Sequence, residues 1–254
     1  MLIAMTRGVS PDMGRCELTH LAREVIDLDL ARAQHRQYEA CLAALGCEIR
    51  RLPPEPALPD SVFVEDTALV LDELALIARP GAASRRPETQ SVAEALKPYR
   101  SLATIQAPGT LDGGDVLRIG RALYVGLSSR SDPAGLEQLR AAVAPWGYTV
   151  RGVPVDGCLH LKSAVTQVAE DTLLINPAWV DSSAFGNLNL LEVDPSEPLA
   201  ANALLIDTTV LFPAAYPSTR RRLEEQGISV KVVEVSELAK AEGGVTCCSL
   251  IFNE

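Results

Sequence analysis

Residues 116–128 read VLRIGRALYVGLS: two short β-rich runs on either side of the dipeptide Gly120-Arg121. Runs of that kind about a two-residue turn make a β-hairpin. The pattern recurs in ALVLDELALIARP from Ala68, AVTQVAEDTLLINP from Ala164 and ALLIDTTVLFPAAY from Ala203. The four starts, at 68, 116, 164 and 203, are 48, 48 and 39 residues apart. A period of that length means one supersecondary unit used repeatedly.

The segments after the hairpins complete the unit. PETQSVAEALKPY, DPAGLEQLRAAVAPWG and PSTRRRLEEQG carry apolar residues at three-to-four spacing and end at Gly or Pro, as short amphipathic helices do. LATIQAP, YTVRGVPV, LNLLEVD and SVKVVEV read as third strands, giving a ββαβ unit. In the fourth unit VDSSAFGN leaves little room for a helix. One further period from Ala203 ends near TCCSLIF, which lacks a hairpin partner after it. LIAMTR supplies that partner from the N-terminus, followed by the helical run LDLARAQHRQYEACLAALG and the strand CEIRRLP. The expectation is an α/β fold of five ββαβ units arranged as a ring, a single domain over residues 1–254, closed by pairing of the chain termini. Radial repetition buries apolar faces that no unit can cover alone.

Composition narrows the function. A formal charge of -10, with Arg220-Arg221-Arg222 the one basic run, argues against a nucleic-acid backbone as partner and leaves room for a cationic small molecule. No stretch approaches the 18 or more apolar residues of a membrane span. Six Cys without paired CxxC knuckles, and no leader sequence, predict reduced thiols in a cytoplasmic protein.

Each third strand must return toward the ring axis before the next hairpin begins. The return loops PDSVFVEDT, GTLDGGDV, GCLHLKSA, EPLAANA and EGGVTCCS carry Asp60, Glu65 and Asp66, then Asp112, His160, Asn202 and Cys247. Asp112 precedes Val116 by four residues and His160 precedes Ala164 by four, so carboxylate and imidazole hold matching positions. Singly, each has an ordinary explanation: a satisfied core histidine, DGGD as a turn, cysteine as a small hydrophobe. Convergence on one axis accounts for all of them together. Asp66 shares period-two parity with Val62, Val64 and Ala68, which predicts a carboxylate turned toward an apolar face and in need of a donor or a cation. Read as a strand, TCCSLIF sends residues 247 and 248 to opposite faces; Cys248 shares parity with Leu250 and Phe252 and packs, so Cys247 faces the axis.

Such groups do limited chemistry. A thiolate attacks electrophiles, an imidazole moves protons near neutral pH and a carboxylate orients it. Acidic neighbours raise a thiol pKa, so the site calls for a cationic substrate. A planar guanidinium offers both the charge and an electrophilic carbon.

FVEDTALV, RPGAASRR, TLDGGDVL, LHLKS and GGVTCCSL, in this order over nearly the whole sequence, resemble the dimethylarginine dimethylaminohydrolase family of guanidine-modifying enzymes. The resemblance implies a five-bladed α/β-propeller, or pentein, fold. It also implies hydrolysis of Nω-methylated arginine to citrulline and methylamine or dimethylamine through a covalent cysteine thiouronium. Motif by motif, it implies Cys247 as nucleophile, His160 as general acid/base and Asp112 as the group that orients His160. Some bacterial relatives have Glu in place of that Asp. Asp60, Glu65 and Asp66 would face the amine and guanidinium of the substrate, Arg85 and Arg130 would hold its α-carboxylate, and Leu18 and Ala241 would offer backbone carbonyls. No cofactor or metal is implied, although Cys247 and His160 would suit a stray inhibitory Zn²⁺. The implied partner is a small-molecule substrate, and a homodimer is one assembly open to the protein. Rival readings are an arginine or agmatine deiminase-like hydrolase and a non-catalytic pentein binding protein. Twin arginines favour an amino-acid carboxylate over agmatine, and a non-catalytic ring has no reason to gather Cys, His and Asp.

Overall fold

The computed structural model describes residues 1–254. β1 (Leu2–Arg7) and β2 (Glu48–Leu52) pair in parallel across α1 (Leu28–Ala44). β3 (Ala68–Val70), β4 (Leu74–Ile77), α2 (Glu88–Leu96) and β5 (Ser101–Thr104) form the second unit. β6 (Val116–Ile119), β7 (Ala122–Leu127), α3 (Pro133–Val143) and β8 (Thr149–Pro154) form the third. The fourth opens with α4 (Leu161–Ala164) and holds β9 (Val165–Ala169), β10 (Thr172–Ile175) and β11 (Asn189–Glu192). In place of a long helix it has the 3₁₀ turn Ser182–Phe185. β12 (Leu204–Ile206), β13 (Thr209–Pro213), α5 (Pro217–Glu225) and β14 (Ser229–Val233) form the fifth, and α6 (Ser236–Ala239) leads to β15 (Ser249–Asn253). β15 pairs antiparallel with β1, Phe252 opposite Ile3 and Leu250 opposite Met5, so the chain ends join in one sheet. There are five three-stranded sheets, each with one antiparallel pair and a parallel third strand, and the antiparallel pair is a hairpin in all but the first.

Ring closure is visible in the core. Five apolar clusters each bridge two successive sheets: Met5, Leu250 and Ile77 between the first and second, Leu76 and Val125 between the second and third. Tyr124 and Leu173 join the third and fourth, Leu174 and Phe212 the fourth and fifth, and Leu211 and Ala4 return to the first. The leading strands β3, β6, β9, β12 and β15 surround an axial channel, whose lining also includes Glu65, Lys162 and Thr246.

The helices form the outer layer for local reasons. α1 starts at Asp27, whose carboxylate accepts the Asp29 and Leu30 N–H groups at 3.0 Å. It buries Ala31, Tyr38 and Leu42 along one face. Tyr38 reaches through to the centre: its hydroxyl donates to the Val245 carbonyl at 2.8 Å and lies 2.6 Å from Ser249 Oγ. Each such bond contributes about 1 kcal/mol, and together they tie an outer helix to the loop that holds Cys247.

Two local expectations fail. Asp66 lies in the 3₁₀ turn Val64–Thr67, and Cys247 and Cys248 lie in a turn before β15, so strand parity applies to neither residue. The turn still separates the cysteines, with Cys248 fully buried in an apolar cluster and Cys247 half-buried.

Candidate active site

Three return loops reach the axis as one turn of helix: Val64–Thr67, Gly113–Asp115 and α4. Asp112 and His160 are the residues immediately before the second and third of these, which is the equivalence their spacing predicts. His160 Nε2 lies 3.0 Å from Asp112 Oδ2, and Asp112 Oδ1 accepts the Gly81 N–H at 2.9 Å. His160 Nδ1 faces Asp66 Oδ1 at 3.8 Å. The glycine pair of DGGD permits this approach: a Cβ on Gly113 would fall 1.9 Å from the Glu65 carbonyl oxygen. One on Gly114 would fall 2.6 Å from Asp66 Oδ1 and 2.7 Å from His160 Nδ1.

One cavity is lined by Cys247, His160, Asp60, Asp66, Arg85 and Arg130, together with Ala241. Asp112 stands behind His160, fully buried. Glu65 turns the other way: it accepts a bond from Lys162 Nζ and another, at 2.7 Å, from Thr246 Oγ1, and it lines the axial channel. Asn202 accepts the Thr246 N–H at 3.1 Å and donates to Thr246 Oγ1 at 2.9 Å. All five return loops therefore touch the site or brace it. Leu18 packs against the cluster between the fifth and first sheets, and it is the adjacent Glu17 that lines the cavity.

His160 and Cys247 are poised oppositely. Burial disfavours the His160 imidazolium, but the carboxylates of Asp66, Asp115 and Asp112 outweigh it and raise the pKa to about 9. Burial pushes the Cys247 thiol up to about 12, and the charges of Glu65 and Asp66 add to that; the Gly244 N–H, 3.3 Å from Sγ, works against them. Near neutral pH the pair rests as imidazolium and thiol. A bound cation is what would stabilise the thiolate.

Arg85 and Arg130 line the cavity in different states. Arg85 Nη1 donates to Asp66 Oδ2 at 2.5 Å, Nε and Nη2 to the Glu88 carboxylate at 3.2 and 2.8 Å, and Nη2 also to the Asp60 and Phe63 carbonyls. Arg130 makes one side-chain bond, from Nη2 to Thr19 Oγ1 at 2.9 Å.

The segment from Glu17 to Leu21, exposed except for half-buried Leu18, covers the cavity. Asp60 accepts the Glu17 N–H at 3.1 Å, and the Glu242 carboxylate accepts the N–H groups of Thr19, His20 and Leu21 at 2.5–3.1 Å. Glu242, at φ 58°, was not legible as a site residue, and neither was Asp115. Both stand inside or beside the family's motifs, but nothing in their spacing marks them. Asp66, Asp112 and His160 place oxygen and nitrogen atoms within 4.8 Å of one another. Arg85, Gly114 N–H and Gly81 N–H already bond those carboxylates, a donor set built for hydrogen bonding rather than for a metal.

Five ββαβ blades with a cysteine, an imidazole and carboxylates on the axis define a pentein of the guanidine-modifying kind. The chain is 42% identical over 253 residues to N(G),N(G)-dimethylarginine dimethylaminohydrolase of Streptomyces coelicolor, covering 99% of this chain and 97% of that one. To the Pseudomonas aeruginosa protein of the same name it is 36% identical, covering 92% of each. It belongs to the dimethylarginine dimethylaminohydrolase family. No family model matches the chain. Its structure superposes with a TM-score of 0.93 on a Cys-to-Ser variant of the Pseudomonas aeruginosa enzyme complexed with citrulline, at 33% identity and 98% coverage of both chains. The same score is reached with a His-to-Gly dimethylarginine dimethylaminohydrolase in adduct with S-methyl-L-thiocitrulline, at 33% identity, covering 99% of this chain and 100% of that one.

Proposed function

We propose that this chain hydrolyses Nω-methylated arginine to citrulline and methylamine or dimethylamine. The observation that carries the reading is a single cavity in which Cys247, His160 with Asp112 behind it, buried carboxylates and an underused arginine meet. The substrate guanidinium sits against Asp60 and Asp66, and Arg130 holds the α-carboxylate with help from the one Arg85 N–H that no protein acceptor takes. Glu65 acts from behind, through Thr246, on the loop that carries the nucleophile.

The bound cation offsets the negative field that keeps Cys247 protonated, and the thiol releases its proton to solvent as substrate binds. Sγ attacks the central guanidinium carbon. His160, an imidazolium held by Asp112, gives its proton to the departing methylamine or dimethylamine, which leaves a thiouronium on Cys247. His160, now neutral, takes a proton from water and the hydroxide adds to the same carbon; the C–S bond breaks, the proton of the added hydroxyl passes to the departing sulfur, and citrulline leaves with the Cys247 thiol and the His160 imidazolium restored.

Citrulline release is to be measured in parallel with arginine, monomethylarginine, asymmetric dimethylarginine and agmatine. Turnover of the methylated substrates, lost in Cys247→Ser and largely kept in Cys248→Ser, is the expected result. Faster turnover of arginine or agmatine, or equal loss in the two folded variants, overturns the assignment.

A further inference from the structure

Asp115 closes the TLDGGD motif, is fully buried and touches no reacting atom in the chemistry above. Its Oδ1 accepts the backbone N–H of Leu161, the residue after His160, at 2.9 Å. Its Oδ2 accepts the hydroxyls of Ser128 at 2.7 Å and Ser131 at 2.6 Å. Both serines pass the connection on. Ser128 Oγ accepts the Arg130 N–H at 3.0 Å, and Ser131 Oγ accepts the Asp112 N–H at 3.0 Å. Every hydroxyl donates once and accepts once, so the polarity of the network is consistent throughout. Space is reserved for it: a Cβ on Gly126 would fall 2.5 Å from Asp115 Oδ1.

One carboxylate thus holds the backbone at three site positions drawn from different segments. We infer that Asp115 is a positioning residue that sets the proton-transfer pair, His160 and Asp112, in register with the carboxylate-binding Arg130. The inference rests on the methylarginine reading. It separates from a merely structural role because its arms lead to different steps: the Ser128 arm ends at the residue that binds, and the Ser131 and Leu161 arms end at the pair that moves the proton. The charged and titratable groups around Asp115 are His160, Asp112 and the Cys158 thiol, and His160 faces Asp66 and Asp112 as well. Burial raises Asp115 to about 6, with His160 and the two serines working against the rise, so it is largely ionised at neutral pH and adds to the field that holds the imidazolium.

The test combines steady-state kinetics on monomethylarginine and its decarboxylated analogue with an NMR titration of His160 in the free protein. Ser128→Ala should raise KM for methylarginine about three- to tenfold, the scale of one hydrogen bond, with kcat and the analogue unchanged. Ser131→Ala should lower kcat for both substrates by a similar factor at constant KM. Asp115→Asn should do both and move the His160 midpoint to lower pH, since one of three nearby carboxylates is gone. The NMR shift needs no turnover, so it decides the Asp115–His160 link even if the wild type releases no citrulline, the result that would instead sink the functional reading. An unmoved His160 midpoint overturns the inference. So does a set of variants in which only the melting temperature changes. If Asp115→Asn does not fold, the serine pair decides, and identical effects of Ser128→Ala and Ser131→Ala on both substrates overturn it.

Discussion

Arg85 and Arg130 come after the second hairpin strands of successive units, 17 and 14 residues beyond Ala68 and Val116, so they share a loop of the repeat but not a register position. Their surroundings have diverged. Arg85 is enclosed by Asp66, Glu88 and two carbonyls, and burial, which works against its charge, is outweighed by those carboxylates, so its pKa stands well above the usual value. Arg130 reaches one neutral hydroxyl and touches no carboxylate. The difference teaches that a repeat fixes which loop reaches the cavity, whereas the rest of that loop decides what the charge of its arginine is used for. α2 begins at Glu88, three residues beyond Arg85, and delivers the neutralising carboxylate; the loop after β7 leads to Asp132, whose carboxylate caps α3 through the Gly135 N–H instead. Arg85 is chiefly part of the site's frame, and Arg130 is its available cation.

The sharpest way to break that contrast is to remove each guanidinium and measure stability and activity separately. Arg85→Ala leaves two buried carboxylates without their partner, which costs about 3–5 kcal/mol in such settings. Urea unfolding should show that loss together with a collapse in turnover. A loss under about 1 kcal/mol would mean that Arg85 is as free as its twin. Arg130→Ala should cost about 1 kcal/mol in unfolding, the worth of its one side-chain hydrogen bond to Thr19. Its cost appears in kcat/KM for methylarginine, about 1.5–3 kcal/mol, the worth of a charged hydrogen bond, and is nearly absent for a decarboxylated analogue. Equal fractional losses on the two substrates would remove Arg130 from the carboxylate.

The ring itself was legible because hairpins repeat with a readable period and a helix and a third strand recur after most of them. His160 and Asp112 were legible for the same reason, since equivalent spacing put them at equivalent turns and they meet at 3.0 Å. Cys247 was reached through a parity argument whose premise, an extended segment, does not hold; the turn after Gly243-Gly244 separates the two sulfurs instead. What escaped was connectivity. No periodicity reports that Arg85 turns its donors to Glu88, that Glu65 faces the channel through Lys162, or that Glu242 collects three N–H groups from the covering segment. Those contacts depend on side-chain directions in irregular turns, which arise from packing between loops distant in sequence.

A pH titration sharpens the comparison most, because it asks how much negative charge Arg85 actually faces. Glu88 is buried, and burial together with Asp60 and Asp66 lifts its pKa to about 7 against the pull of Arg85. In the unfolded chain the same group titrates near its ordinary value of 4.5. Below that value both states hold the proton and there is no contribution. Between 4.5 and 7 the unfolded chain gives it up while the folded chain keeps it, so stability falls as pH rises, and it levels off above 7. Glu88→Gln cannot titrate. It keeps an acceptor oxygen for Arg85 Nη2 and sets an amide against Nε at a cost independent of pH. The stability lead of wild type over Glu88→Gln should therefore shrink by up to about 3 kcal/mol as pH rises across that window, as read from paired urea melts. If so, Arg85 at neutral pH is balanced mainly by the single charge of Asp66, and Arg130 supplies the one uncompensated positive charge in the cavity. A difference that stays flat from about pH 4.5 to about 7.5 would mean that Glu88 remains ionised. Arg85 would then sit in a net negative nest, with nothing left for a substrate carboxylate, and the whole of that anion would fall to Arg130.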